Sequence, residues 1–237
     1  MCTVSIVPGE DGFRLVSNRD ERRDRAVALH PRVERLASRL SVMPIDPVGG
    51  GSWVGVNDAG LVAAVLNRYG DSSAATRSFT SRGAIVRRAL GCGSIGEAVE
   101  SARTLDASRF RPFRPILAQA HHIAIVAGNG CELAAAEWTL YEPRMFTASS
   151  LGDVLVDGPR RRLFECLVGG AHDTLDGQRL FHQHQWMDKP EISVLMKRDE
   201  SATVSRTRVD VGGQGIALEY ESLVPCGPPH RVELRPC

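Results

Sequence analysis

The chain opens Met1-Cys2-Thr3-Val4-Ser5, and a cysteine in second place carries chemistry that a cysteine elsewhere does not. Methionine is normally removed ahead of a residue as small as cysteine. Cys2 is then left with a thiol and a free α-amino group. Unperturbed, the amine titrates near ~7.7–8.0 and the thiol near ~8.5. One residue thus supplies both a nucleophile and the base that takes its proton. By position alone, a buried thiol at the start of a strand is the plainer reading, because cysteine packs as a small hydrophobe. The case for catalysis rests on the residues brought up beside it.

The string Asn18-Arg19-Asp20-Glu21 is the first of these. Residues 2–7 are a short β-branched run, Pro8-Gly9-Glu10-Asp11-Gly12 is turn chemistry, and residues 13–17 alternate apolar and polar. This reads as a hairpin, which returns Asn18, Arg19 and Asp20 to the end where Cys2 sits. An arginine beside a thiol lowers its pKa and holds the thiolate. A carboxylate such as Asp20 orients the α-ammonium group. Asn67 ends an apolar run, residues 61–67, and is a suitable amide donor for an oxyanion. The plainer readings are a solvated charge run for residues 18–25 and a strand-end cap for Asn67.

Those residues depend on the elements that carry them. Residues 53–56 and 61–67 flank Asn57-Asp58-Ala59-Gly60 as a second hairpin, while residues 26–48 read as irregular. Residues 81–90 form an apolar helical face. Ser94-Ile95-Gly96-Glu97 is a capping box that opens another helix. Strands return at 115–120, 122–127 and 131–138, the last two joined by Asn129-Gly130, and again at 145–149. Pro159 suits the first turn of a helix running to about Val168, and residues 176–185 read as helical. Residues 192–196, 203–211 and 216–221 read as closing strands. Hairpin connections imply antiparallel sheets. Two such sheets packed face to face with a helical layer outside each bury these segments economically, an α+β fold in four layers, αββα. No linker, repeat or low-complexity stretch divides the chain, so one domain over residues 1–237 is expected.

Three separated motifs in order now carry a resemblance. Met1-Cys2-Thr3, Ser17-Asn18-Arg19-Asp20-Glu21, and Gly50-Gly51-Ser52-Trp53-Val54-Gly55-Val56-Asn57-Asp58-Ala59-Gly60 with Leu66-Asn67-Arg68 resemble the NRDE-motif family. That family includes the eukaryotic transport and Golgi organisation protein 2. The match spans roughly the first 70 residues, and weaker similarity extends over most of the chain, including Ile192 to Ser205. The family in turn resembles the N-terminal nucleophile hydrolases, in particular the cysteine type containing penicillin V acylase and the bile salt hydrolases. The resemblance implies the αββα sandwich, Cys2 as nucleophile, and Arg19, Asp20 and Asn67 as catalytic partners. Asn18, Trp53 and Ser150 are the expected substrate contacts. Two departures stand out. The hydrolases carry Arg-x-x-Asp where this chain has adjacent Arg19 and Asp20, which an extended strand points to opposite faces. Where family members tend to carry Ser-Asn, this chain has Ser149-Ser150.

Composition narrows the alternatives. Across 237 residues the net charge is +1, which gives no field to recruit nucleic acid. No apolar run approaches the ~20 residues of a membrane span, and no signal peptide is read at the start. The six cysteines, at 2, 92, 131, 166, 226 and 237, lack a Cys-x-x-Cys pair, which argues against a zinc site and for a reducing cytoplasm. Gly49-Gly50-Gly51 lacks the ending of a phosphate loop and reads as a turn. Neither His182 with His184 nor His121 with His122 has chelating spacing. No metal or cofactor is therefore expected, and the partner is a small molecule. Two functions fit: an amidohydrolase acting on a non-peptide C–N bond through a Cys2 thioester, or a non-catalytic protein that binds or traffics a small lipid-like or haem-like ligand.

Overall fold

The computed structural model describes residues 2–69, 78–129, 131–170 and 173–236. Turn residues Gly9 to Gly12 close the first hairpin, so β1 (Cys2–Gly9) and β2 (Gly12–Arg22) pair antiparallel with Cys2 opposite Arg19. There follow β3 (Leu29–Leu36), β4 (Arg39–Ile45), β5 (Val54–Asn57) and β6 (Val62–Asn67), then the helices α1 (Gly83–Leu90) and α2 (Ile95–Arg103). The strands β7 (Phe113–Gln119), β8 (His122–Gly128), β9 (Leu133–Thr139) and β10 (Arg144–Ala148) lead to α3 (Asp153–Phe164) and α4 (Thr174–Gln183). The chain closes with β11 (Ser201–Gly212), β12 (Gly215–Ser222) and β13 (His230–Leu234).

Two antiparallel sheets result. One runs β10-β1-β2-β11-β12-β13 and the other β3-β4-β5-β6-β7-β8-β9. They pack face to face, with α1 and α2 against the second sheet and α3 and α4 against the first. This is the expected α+β sandwich in αββα layers. The main core fills the space between the sheets with Val4, Ile6 and Leu15 from one side and Val54, Val56, Leu66 and Ile116 from the other. A smaller core of Val7, Met145, Phe164, Phe181 and Val194 lies under α3 and α4.

Polar contacts fix the helical layer to the first sheet. Arg160 on α3 is fully buried, and its guanidinium donates to Thr3 Oγ1 at 2.8 Å, Thr147 Oγ1 at 2.5 Å, Ile192 O at 3.0 Å and Ser193 O at 2.7 Å. Four such bonds to one cation offset its desolvation. On α4, His182 sits between Ser5 Oγ at 2.7 Å and Asn18 Oδ1 at 3.0 Å. Asn18 presents its oxygen there because its amide already donates to the carbonyls of His182 and Val194. That assigns the proton to Nδ1, leaving Nε2 to accept from Ser5. Burial holds the imidazole pKa down at about 3, so this ring is neutral at physiological pH.

Four expectations about elements are corrected. Residues 26–48 are not irregular: they carry β3 and β4. Pro159 lies inside α3, which begins at Asp153, whose carboxylate accepts from the Ser149 N–H at 2.8 Å. Residues 192–196 form no strand. Ile192 ends a 3₁₀ turn, and the segment is held by side-chain bonds from Arg160 and Asn18. The final strand β13 has no counterpart in the sequence reading. Of the expected Asn129-Gly130 turn, Asn129 Oδ1 accepts from the N–H groups of Cys131 and Glu132; Gly130 lies outside the described residues.

Candidate active site

The start of β1, the end of β2, the turn before β5, the end of β6 and the start of α1 meet at one end of the sandwich. They enclose a cavity of about 720 Å³. Glycines let the walls close: Gly51 and Gly83 approach so tightly that a Cβ on Gly51 would fall 2.5 Å from the Gly83 backbone. Gly50 takes a left-handed φ of +64° in the turn, a conformation glycine adopts without steric cost.

Cys2, Arg19, Asp20, Trp53, Asn67 and Ser150 all line this cavity. Cys2 is 8% exposed. Residues paired directly across an antiparallel ladder share a face, which sets Arg19 beside Cys2. Arg19 is held from several sides. Its guanidinium lies 4.3 Å from the centroid of the Trp53 ring, its Nη2 donates to Glu21 Oε2 at 3.2 Å, and Asp46 Oδ2 is 3.8 Å away. Arg25 reaches the same Asp46 oxygen at 2.5 Å. Trp53 is thus both a wall of the cavity and a cation–π support for Arg19.

Asp20 follows Arg19 directly, and its carboxylate is on the helical side, where Thr203 Oγ1 donates to it at 2.6 Å. Both adjacent residues nevertheless reach the cavity because β2 ends there. Opposite this step the register of β11 shifts between Thr203 and Ser205. One extra residue in the partner strand bends and twists the pair. Asn67 Nδ2 donates to Tyr69 Oη at 2.9 Å, which uses one of its two N–H groups. Ser150 Oγ accepts from Arg198 at 3.2 Å, and the same guanidinium reaches Ser149 Oγ at 3.3 Å.

Asn18 is the expected substrate contact that the fold removes. It is fully buried on the opposite face of β2, and its amide is spent on His182 and Val194. Strand alternation is the reason, since residues 18 and 19 must point apart. The expectation of a thiol activated by Arg19 is also corrected. Burial pushes the Cys2 thiol above its ordinary range and Asp20 adds to the rise, outweighing the opposing effects of the chain's terminal ammonium group, of Arg19 and of a bond from the Asp20 backbone. At neutral pH Cys2 is therefore a thiol.

Several lining residues had no signal in the sequence. Asp46 joins Glu21 of the Asn-Arg-Asp-Glu string in holding Arg19, while Tyr69, Arg82 and Arg111 complete the wall. Arg198, which reaches the lining residue Ser150 from outside the cavity, comes from a charged stretch with no distinguishing pattern.

Solved structures share this architecture. Penicillin V acylase from Agrobacterium tumefaciens superposes with a TM-score of 0.64 at 13% identity, covering 99% of this chain and 86% of that one. The Caenorhabditis elegans ortholog of N-acylethanolamine-hydrolyzing acid amidase gives 0.59 at 13% identity, covering 87% and 92%. A variant of conjugated bile acid hydrolase from Clostridium perfringens gives 0.58 at 11% identity, covering 99% and 92%. At such identities the likeness is one of fold, that of the N-terminal nucleophile hydrolases. No curated protein matches the chain in sequence. The family model for Transport and Golgi organisation 2 matches residues 1–150, which include Cys2, the Asn-Arg-Asp-Glu string and Asn67, and the chain belongs to that family.

Proposed function

We propose that this protein is an N-terminal-cysteine amidohydrolase acting on a non-peptide C–N bond. The observation that carries the reading is the pairing of Cys2 with Arg19 in one cavity that Asp20 and Asn67 also line. Once Met1 is removed, the α-amine of Cys2 takes the thiol proton as sulfur attacks the substrate carbonyl. The second N–H of Asn67 meets the oxyanion. The tetrahedral intermediate collapses, the ammonium returns its proton to the departing nitrogen, and a thioester is left on Cys2. The amine next takes a proton from water, whose oxygen attacks the thioester. The second tetrahedral intermediate expels the Cys2 sulfur, which takes the proton back from the ammonium, and the carboxylic acid leaves, so atoms and protons balance over the cycle.

Each neighbour has a task in this scheme. Asp20, steadied by Thr203, orients the ammonium. Arg19, fixed by Trp53, Glu21 and Asp46, offsets the desolvation of developing thiolate. Trp53 and Ser150 contact the substrate. The charged lining suits a polar small molecule better than a wholly apolar one. The described cysteines other than Cys2, namely Cys92, Cys131, Cys166 and Cys226, are also free thiols, which fits a reducing cytoplasm. Among the described residues no helix is long and apolar enough to cross a membrane.

Incubation with a panel of N-acyl amides, followed by acid quench and mass analysis, tests the proposal. At least one amide is expected to leave its acyl group on Cys2 and to release its amine over repeated turnovers. Ligands that bind in the cavity while the whole panel leaves the protein mass unchanged and releases no amine would mark a binding protein instead.

A further inference from the structure

The cations of the cavity fall into two groups. Arg19 and Arg25 are paired with Glu21 and Asp46, and Arg22 with Asp24. Arg82 and Arg111 form no ion pair with any described residue. Arg82 is half-buried and donates to Pro112 O at 3.2 Å, and Arg111 lies 5.5 Å from the centroid of the Phe79 ring. Both line the same cavity as Cys2. Desolvating a guanidinium without a counter-charge is costly, and burial pushes the Arg82 pKa down accordingly.

Two further features of the cavity share that sign. Helix α1 begins on the same wall, with Ser81, Arg82 and Gly83 lining the cavity and no acidic residue in its first turn. Its partial positive end is therefore not compensated by an acidic residue of its own first turn. Trp53, 6% exposed, has a buried indole N–H that finds no acceptor among the described residues. Among the described lining residues there are five arginines and four carboxylates, which leaves one positive charge in excess.

We propose that the cavity takes an amide bearing a carboxylate, and that Arg82 and Arg111 receive that carboxylate while the amide carbonyl faces Cys2. A planar guanidinium matches a carboxylate in a bidentate fork, and a single excess charge suits a monoanion. The inference rests on the proposed hydrolysis for the placing of the amide. The anion subsite itself needs only the two arginines.

The test uses N-hexanoylglycine and N-hexanoylglycinamide, which differ only in the carboxylate. Their affinities for the full-length Cys2→Ala protein are measured by calorimetry at low and high salt. The acid is expected to bind at least ~10-fold more tightly, with the preference shrinking as salt screens it. Arg82→Gln and Arg111→Gln should each erode the preference, and Arg82→Lys should retain part of it. If Arg82→Gln fails to fold, the exposed Arg111→Gln carries the comparison. Equal affinities, absence of binding by both probes, or a preference that survives Arg82→Gln/Arg111→Gln in a folded protein would overturn the subsite. Mass analysis of the unsubstituted protein with the same probes separates the two claims. A carboxylate preference without acylation keeps the subsite and rejects hydrolysis. Acylation without a preference rejects the subsite alone.

Discussion

Cys2→Ala is expected to abolish amide turnover, a loss on the order of 10⁴–10⁶-fold if nucleophile and base act as a unit. The sulfur is the atom that bonds to the substrate, so nothing else in the cavity replaces it. The fold should survive. Cys2 is buried with the main core, and trimming its sulfur costs ~1 kcal/mol, a shift of about 2–4 °C in melting temperature for a chain of this size. The pH profile adds a second reading. Burial raises the thiol pKa, so the rate should not follow a thiolate population at neutral pH. It should rise across pH ~7–8 as the α-amine becomes the neutral base. Turnover retained in Cys2→Ala, in a protein that melts normally, would remove Cys2 from the chemistry.

Asn67→Ala is expected to lower turnover by ~10²–10³-fold, about 2.7–4 kcal/mol of transition-state stabilisation, with little change in substrate affinity. Asn67 stands at the end of β6, in the cavity, with one N–H on Tyr69 and the other directed to no described partner. Tyr69→Phe separates donation from scaffolding. If Asn67 serves only to anchor Tyr69, this change should reproduce the loss. If Asn67 is the oxyanion donor, Tyr69→Phe should be mild. Single-turnover acylation and thermal melts on the same proteins read the difference. An unchanged acylation rate in Asn67→Ala, with a lowered melting point, would make the residue structural.

Much of the sandwich is written in local patterns, and its gaps have physical causes. Both early hairpins are legible because alternation and turn residues agree, and counting back from Gly9 and Gly12 is enough to bring Arg19 to Cys2. β3 hides because it is mostly exposed and carries Pro31, and β4 because Pro44 interrupts an apolar run. β13 is short, polar and at a sheet edge. Residues 192–196 mislead in the other direction. Ile192, Val194 and Met196 alternate and are buried, yet the carbonyls of Ile192 and Val194 accept from the side chains of Arg160 and Asn18 across the layer, which no local pattern encodes. The site divides the same way. Cys2, Arg19, Asp20 and Asn67 sit at strand ends whose register follows from turns. Arg82 and Arg111 enter only through the packing of distant segments around the cavity.

The central claim is that Cys2 acts as an N-terminal residue, and the intact mass of the full-length protein after expression tests it most directly. The account predicts a mass lacking Met1 on nearly all molecules, with a free α-amine on Cys2 that is open to amine-specific labelling. Met1 retained on most of a preparation that still hydrolyses amides would contradict it, because the base assigned to the mechanism would then be locked in a peptide bond.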